Sequence, residues 1–565
     1  MKKHIFCIVL ATLMLGTLLV ACANDQQTPQ PPSGESGAAN QQPAVNDSSR
    51  ALDIDMLNMP WETPYPELIT ITTINREDTA LIFRDGDDHN NNPWTRGIRE
   101  MFNIEIITEW VSADYETAVN LAIAAGNLPD FFTVTNHQFV QLQEAGLIMD
   151  ITEIYDNLAS DSLRQLNDFD PTQLDSARVN GRLYGQPHLS FGTIDQGGYL
   201  WLRRDWMAEM GLGAPETIDD VTNILRTMNE TFGTRGMGID QEFELSLYRI
   251  APSWNAYPQL WLTMPDGSIE YGGVQPEMKN FLAQMAEWYA EGLINPEFPT
   301  RDFAGVVQDA ASELVGAVPW WQWWGWAGGG PTVENNGPHA LFDPYLVPTV
   351  DGSQLLFPLD FHNGWAIQVV NRDMVHPEAF LKAINYYVWV TRDAFPNYMA
   401  LEEFSAFIDD QMVHLPHSFK VNDILGEYEQ FGMVQEALWE LDKDGSNITN
   451  IQGLNKFRLI VQFLETGDPS GGAIGAYNQL GSRRSAYTLS QPFVANDWFM
   501  RCAMWGMPPD AVARLGATLD DLLKEGYTRI IMGIEPIEFF YQLVEDWYAA
   551  GGREATAAVN AIYRR

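Results

Sequence analysis

The chain has 565 residues, 75 Asp plus Glu against 33 Lys plus Arg, and a formal net charge of -42. That length exceeds what one ordinary core spans, so at least two lobes are expected, and 45% hydrophobic against 19% charged residues marks a globular chain. So acidic a surface excludes a general nucleic-acid binder, and because no Lys follows a Gly there is no Gly-x-x-x-x-Gly-Lys-Ser/Thr phosphate loop.

Lys2 and Lys3 open the chain and an apolar run follows from Ile5 to Leu19. It has the length of a secretory h-region and falls short of the roughly 20 residues of a spanning helix. Leu19-Val20-Ala21-Cys22 resembles the bacterial lipobox. The resemblance implies that residues 1–21 are a signal peptide and that Cys22 becomes a lipidated, palmitate-bearing N-terminus. Cys7 would leave with the signal, so Cys502 would stand alone and no intrachain disulfide is expected. Residues 22–60 are rich in Gln, Pro, Ser, Asn and Gly and read as a disordered tether.

The folded body begins with the β-branched run Leu68 to Ile74, a predicted first strand. A polar stretch, Asp85 to Asn92, leads through Pro93-Trp94 into a predicted helix, and Ile104 to Ile107 reads as a second strand. Gly126 and Pro129 end the next helix before a third strand, Phe131 to Val134. Strands alternating with helices predict a largely parallel, doubly wound α/β sheet. Thr217, three residues before Asp220, predicts a capped helix start. Phe281, Leu282, Met285, Trp288 and Tyr289 follow helical spacing, as do Ile537, Phe540, Tyr541, Val544, Trp547 and Tyr548.

Ala125-Gly126-Asn127-Leu128-Pro129-Asp130, Asn180 to Pro187, Leu200 to Trp206, Trp288 to Phe298, Gly316 to Trp320, Pro377 to Phe380 with Asn385, and Glu545 to Gly552 with Asn560 together resemble ordered motifs of the family 1 extracellular solute-binding proteins. The likeness is to the longer oligosaccharide-binding lipoproteins that serve ABC importers in Gram-positive bacteria. It implies a two-lobed periplasmic-binding-protein-like fold with a hinge and an inter-lobe ligand cleft. The first lobe is expected over residues 61–190 with a return segment about 366–440. The second is expected over 191–365 with C-terminal helices about 441–565. The implied partners are an oligosaccharide, the permease subunits of an ABC transporter and, through the N-terminal lipid, the outer face of the cell membrane, with the protein itself a monomer. Many relatives carry a calcium loop after the helix that Thr217 opens. Here Met228 to Arg235 lacks the carboxylate ladder such a loop needs, and Asp442 to Asn447 reads as a plain turn, so no metal or cofactor is expected.

There is no Gly-x-Ser-x-Gly elbow and no His-Glu-x-x-His motif, and the nine His are scattered. A carboxylate pair is harder to exclude among 75 acids, so a secreted Trp-rich glycoside hydrolase stays open, as does a peptide-binding or sensory lipoprotein. The stronger signal is aromatic. Trp320-Trp321-Gln322-Trp323-Trp324-Gly325-Trp326 holds five of the 19 Trp and runs into a Gly-rich, flexible exit. An extended segment would alternate its indoles between core and cleft. A sugar ring packs its C–H face on an indole and gives its hydroxyls to side chains such as Gln322. The candidate ligand contacts are Trp320, Trp321, Trp323 and Trp324, with Trp94, Trp201, Trp254, Asn255, Trp365 and Trp498 beside strand ends or loops, and Asn136 and Asn363 near strand ends. Without Lys2 and Lys3 the charge is -44, from 31 basic and 75 acidic residues. Such a field disfavours polyanions and predicts a neutral oligosaccharide, unless a local basic cleft, for which Arg203 and Arg204 are candidates, hides within it.

Overall fold

The computed structural model describes residues 54–77, 82–169, 171–189, 197–359, 366–394, 405–408, 411–414, 419–424, 426–449, 451–470, 472–504 and 508–564. Cys22, Asn363 and Trp365 lie outside the described residues. The β-branched run forms the strand Ile69–Arg76, which pairs in parallel with Ile104–Ser112 from Ile69↔Ile104 onward. The helix Pro93–Phe102 connects them, and its entry is built by the polar stretch before it. The Asn92 side chain accepts from the amides of Trp94 and Thr95, while the Thr95 hydroxyl accepts from the Asn92 amide, a reciprocal cap that satisfies helix-end donors.

Phe131–Val134 lies beside the first strand, and Asp130 ties the two together. Its carboxylate accepts from the Thr72 amide at 2.7 Å and the Thr72 hydroxyl at 3.1 Å, and its own amide donates to that hydroxyl at 3.0 Å. Ile367–Val370 then runs between Phe131–Val134 and Gly185–Pro187, antiparallel to both. A Cβ at Gly185 would stand 2.6 Å from the Gln368 carbonyl oxygen, so this close pairing requires glycine.

In the second lobe Tyr199–Arg203 is the middle strand, antiparallel to Ala317–Trp320 on one side and Phe342–Tyr345 on the other. Leu200 and Leu202 pack with helices Ile218–Phe232, Pro276–Ala290, Asp510–Ile531 and Phe539–Trp547, while Tyr199 and Trp201 pack with Trp320, Trp324, Phe357 and Phe493. The Thr217 cap forms as predicted, with Thr217 and Asp220 exchanging hydrogen bonds. Phe281, Leu282, Met285 and Trp288 face the core. The C-terminal stripe is narrower than its sequence implies: Phe540, Leu543 and Trp547 are buried, and Tyr541 is 62% exposed.

Among the described residues the largely parallel sheet that the alternating pattern predicts is limited to two ladders, Ile69–Arg76 with Ile104–Ser112 and Phe357–Leu359 with Phe499–Arg501. The other described ladders are antiparallel. The reason lies in the cores. One cluster draws on Met56 to Leu189 and again on Ile367 to Ile424, while the second lobe's clusters draw on Tyr199 to Leu359 and on residues beyond Phe431. A strand returning from the other lobe enters the first sheet from the opposite end. Among the described residues no helix is long and apolar enough to cross a membrane.

Candidate functional site

The crossings identify which strand ends lie next to the connections between the lobes. The chain leaves the first core after Leu189, re-enters it at Ile367 and leaves again after Ile424. Because Ile367 pairs with both Val134 and Pro187, the ends of these three strands share one edge. In the second lobe Tyr199 pairs with Trp320, and Leu359 ends the strand leading out, so the Trp-rich segment starts at the edge where the crossings arrive. Ligands of open α/β sheets collect at such strand ends.

The first-lobe edge is polar. Thr135 caps the helix Asn136–Glu144, accepting from the Gln138 amide while Gln138 accepts from the Thr135 amide, which sets Asn136, half-buried, at the first helical position. The Thr133 hydroxyl lies 3.5 Å from His188 Nε2. Burial, and then the positive charge of Lys420, push the His188 pKa down to about 3, so the ring is neutral. Three chain passes fix this corner. The His188 amide donates to the Ala366 carbonyl at 3.0 Å, the Asn422 amide donates to the His188 carbonyl at 2.9 Å, and the Gln368 amide group donates to the Lys420 carbonyl at 2.8 Å. Neither His188 nor Lys420 carries a sequence signal beyond the scarcity of lysine, and the sequence reading missed both.

The acidic loop after the first strand is satisfied internally. Asp88 accepts from the amides of Asn90 and Asn91, each at 2.7 Å, and Arg96 donates to Asp87 at 2.8 Å. Asp444 accepts from the Ser446 amide at 3.0 Å, making the Asp442–Asn447 segment a turn. Among the described residues no group of three or more His, Cys, Asp or Glu could hold a metal ion.

The second-lobe edge is aromatic, and its geometry differs from the extended one. The strand ends at Trp320, residues 321–324 turn, and Gly325–Gly329 continues as a wide helical turn into the helix Gly330–Asn336. The Gly-rich exit is therefore a packed helix rather than a flexible loop. At Gly328 a Cβ would overlap the Trp324 ring, so glycine permits the close approach. Trp320 and Trp324 are fully buried, 5.4 Å apart, and Trp324 meets Phe342 edge-on. Trp321 and Trp323 stay half-buried. Gln322 is buried and its side-chain oxygen accepts from Gln479, which in turn accepts from Trp326 Nε1, so Gln322 is committed to the interior.

Trp321 carries the built surface. The Arg249 guanidinium sits 4.1 Å from its ring centroid and donates to the Glu244 carbonyl at 2.7 Å and to Gln259 Oε1 at 3.1 Å. These residues, with Tyr248 and Pro358, line a pocket that holds one carboxylate, Glu244. Hydrolysis of a glycosidic bond ordinarily uses two. Trp94, Trp201 and Trp254 are core residues: Trp94 stacks on Tyr387 at 4.8 Å, Trp201 donates its Nε1 to the Trp321 carbonyl, and Trp254 packs on Phe281 and Trp288. Asn255 is a left-handed helix end bonded to Asp351, and Trp498 is half-buried edge-on to Phe493. Arg203 and Arg204 do not form a basic cleft. Arg203 is buried against Asp205 and Glu313, and Arg204 forks onto Asp343.

A sequence profile described as bacterial extracellular solute-binding protein matches residues 98–391, just over half of the chain. Lipoprotein LipO of Bacillus subtilis is 26% identical over 230 residues, 38% of this chain and 43% of its own length. The polygalacturonan/rhamnogalacturonan-binding protein YtcQ of the same organism is 24% identical over 230 residues, 37% of this chain and 43% of its length. The chain thus aligns with less than half of either relative. Among solved structures, the alginate-binding protein AlgQ2 without calcium superposes with a TM-score of 0.56 at 14% identity, over 90% of this chain and 100% of that one, a likeness of fold.

Proposed function

The chain belongs to the bacterial extracellular solute-binding proteins, and from that premise we propose that it captures an oligosaccharide between its lobes and delivers it to an ABC permease. The observation that carries this reading is that both lobes place suitable groups at strand ends beside the crossings: half-buried Trp321 and Trp323 in the second lobe, and Thr133, Asn136 and His188 in the first. An indole receives the C–H face of a pyranose, and hydroxyl, amide and imidazole groups receive its rim. The naming of relatives for polygalacturonan, rhamnogalacturonan and alginate binding supports a saccharide ligand.

In this reading residues 61–190 with a return segment from 366 form one moving body and the remainder of the fold the other, linked by the crossings. Ile54–Leu57 is a helix that buries Met56 and Leu57 in the first core, so the tether expected over residues 22–60 ends before Ile54. Signal cleavage before Cys22, lipidation there and this shorter tether would hold a monomer at the outer face of the membrane. The experiment is a thermal-shift screen of the purified chain with sugar and peptide panels, since a ligand that binds only the folded state raises Tm by mass action. A shift with oligosaccharides and none with peptides is expected; the reverse would reject the reading. Lost processing and membrane retention in Cys22→Ala is the expected result for the anchor.

A further inference from the structure

We propose that Arg249 is a positioning residue for sugar capture: it holds the indole of Trp321 in one orientation, so that the ring is set before a sugar stacks on it. The inference rests on the saccharide reading above and adds the residue that makes its aromatic contact rigid. The Arg249 guanidinium carbon lies 4.1 Å from the Trp321 ring centroid, a cation packed on an aromatic face. The guanidinium is itself fixed in two directions. Its Nε donates to the Glu244 carbonyl at 2.7 Å and its Nη2 to Gln259 Oε1 at 3.1 Å. A planar fork bonded along its edge keeps its flat side for the ring. Arg249 is 5% exposed, so this arrangement is built into the interior. The indole face under the guanidinium is occupied, and a sugar has the opposite face.

The backbone around the pair is equally constrained. A Cβ at Gly198, one residue before the strand Tyr199–Arg203, would stand 1.8 Å from the Arg249 carbonyl oxygen, so glycine lets the chain press against Arg249 there. The Trp321 carbonyl accepts from Trp201 Nε1 at 3.0 Å and from the Trp324 amide at 3.2 Å. With its backbone held, what is left to fix in Trp321 is rotation of the side chain. Its Nε1 is buried and makes no hydrogen bond among the described residues, so the stacked guanidinium is the directional contact that sets the ring. A ring free to turn would have to lose that freedom on binding, a cost that presetting removes.

The test is calorimetric titration of the full chain with an oligosaccharide that raises the wild-type Tm, for the wild type, Arg249→Met, Trp321→Ala and the double variant. Near-ultraviolet circular dichroism of each protein without ligand is recorded alongside, with Trp321→Phe for reference. Arg249→Met should weaken binding about tenfold, the scale of a desolvated cation–π contact. Arg249→Lys should recover part of the loss, because it keeps a cation over the ring but not the fork. With Trp321 already replaced by Ala, Arg249→Met should change affinity by less than about twofold. The dichroism signal that Trp321→Phe removes should also be lost in Arg249→Met. Gln259→Ala, which unties the fork and keeps the cation, should move both readouts the same way by less, and it carries the comparison if Arg249→Met does not fold. Equal weakening with and without Trp321 would mean that Arg249 touches the sugar directly, and would overturn the positioning role. Wild-type affinity and dichroism in the variants would overturn it too, with the saccharide reading left standing. If no sugar binds the wild type, both fall.

Discussion

The two strand-end edges beside the crossings are built in opposite ways. The second-lobe edge stands on one continuous aromatic core: Trp320, Trp324, Trp201 and Phe342 are buried beneath Trp321 and Trp323. The first-lobe edge has no such base. His188, Ala366 and Asn422 belong to three passes of the chain, joined by backbone hydrogen bonds, and the polar groups beside them include the His188 imidazole and the Thr133 hydroxyl. The aromatic edge is therefore stiff and exists before ligand arrives. The polar edge is correct only when every crossing is in place, so it is the part a hinge motion would reshape.

Mutations should separate the two kinds of residue. The largest effect is expected at Trp324→Ala, a fully buried indole, which should cost about 3–5 kcal/mol of stability in denaturant melts. Trp321→Ala, half-buried at the surface of the same cluster, should cost at most about 2 kcal/mol of stability yet weaken sugar binding by about thirtyfold or more. Equal destabilisation of both would erase the distinction between base and rim. Asp130→Ala removes the two hydrogen bonds that the carboxylate accepts from Thr72 and should cost about 2–3 kcal/mol, with sugar affinity unchanged in the molecules that fold.

The smallest effect is in pH. His188 is held at about 3 against an ordinary 6.5. Between these values the unfolded chain binds a proton that the folded chain does not, so this contribution is complete above pH 6.5 and is lost as pH falls toward 3. Urea melts of His188→Asn should show a shallower loss over that window than the wild type. Identical slopes would mean that the ring is solvated and the polar edge is looser than described.

Local rules carried the sequence reading where the partners are near in the chain. The Asn92 and Thr217 helix starts, the Phe281 to Trp288 stripe and the strand at Ile69 each depend on residues within one or two turns. The failures are long-range. Ala327 to Gly330 reads as a flexible exit, but the helical segment that holds it packs against Ala473–Ala476, some 150 residues on, along with Asn478. Alternation along Trp320 to Trp324 requires an extended backbone, and the chain turns after Trp320. The corner at His188 was invisible because its neighbours, Ala366 and Asn422, come from distant passes of the chain.

The central claim is that one sugar touches both edges at once. Hydrogen exchange of the full chain, with and without an oligosaccharide that raises Tm, tests it most directly. Protection is expected to rise together at Thr133–His137, at His188–Leu189 with Phe419–Asn422, and at Trp321–Trp326. Protection confined to one lobe, or gained only away from these segments, would contradict the account.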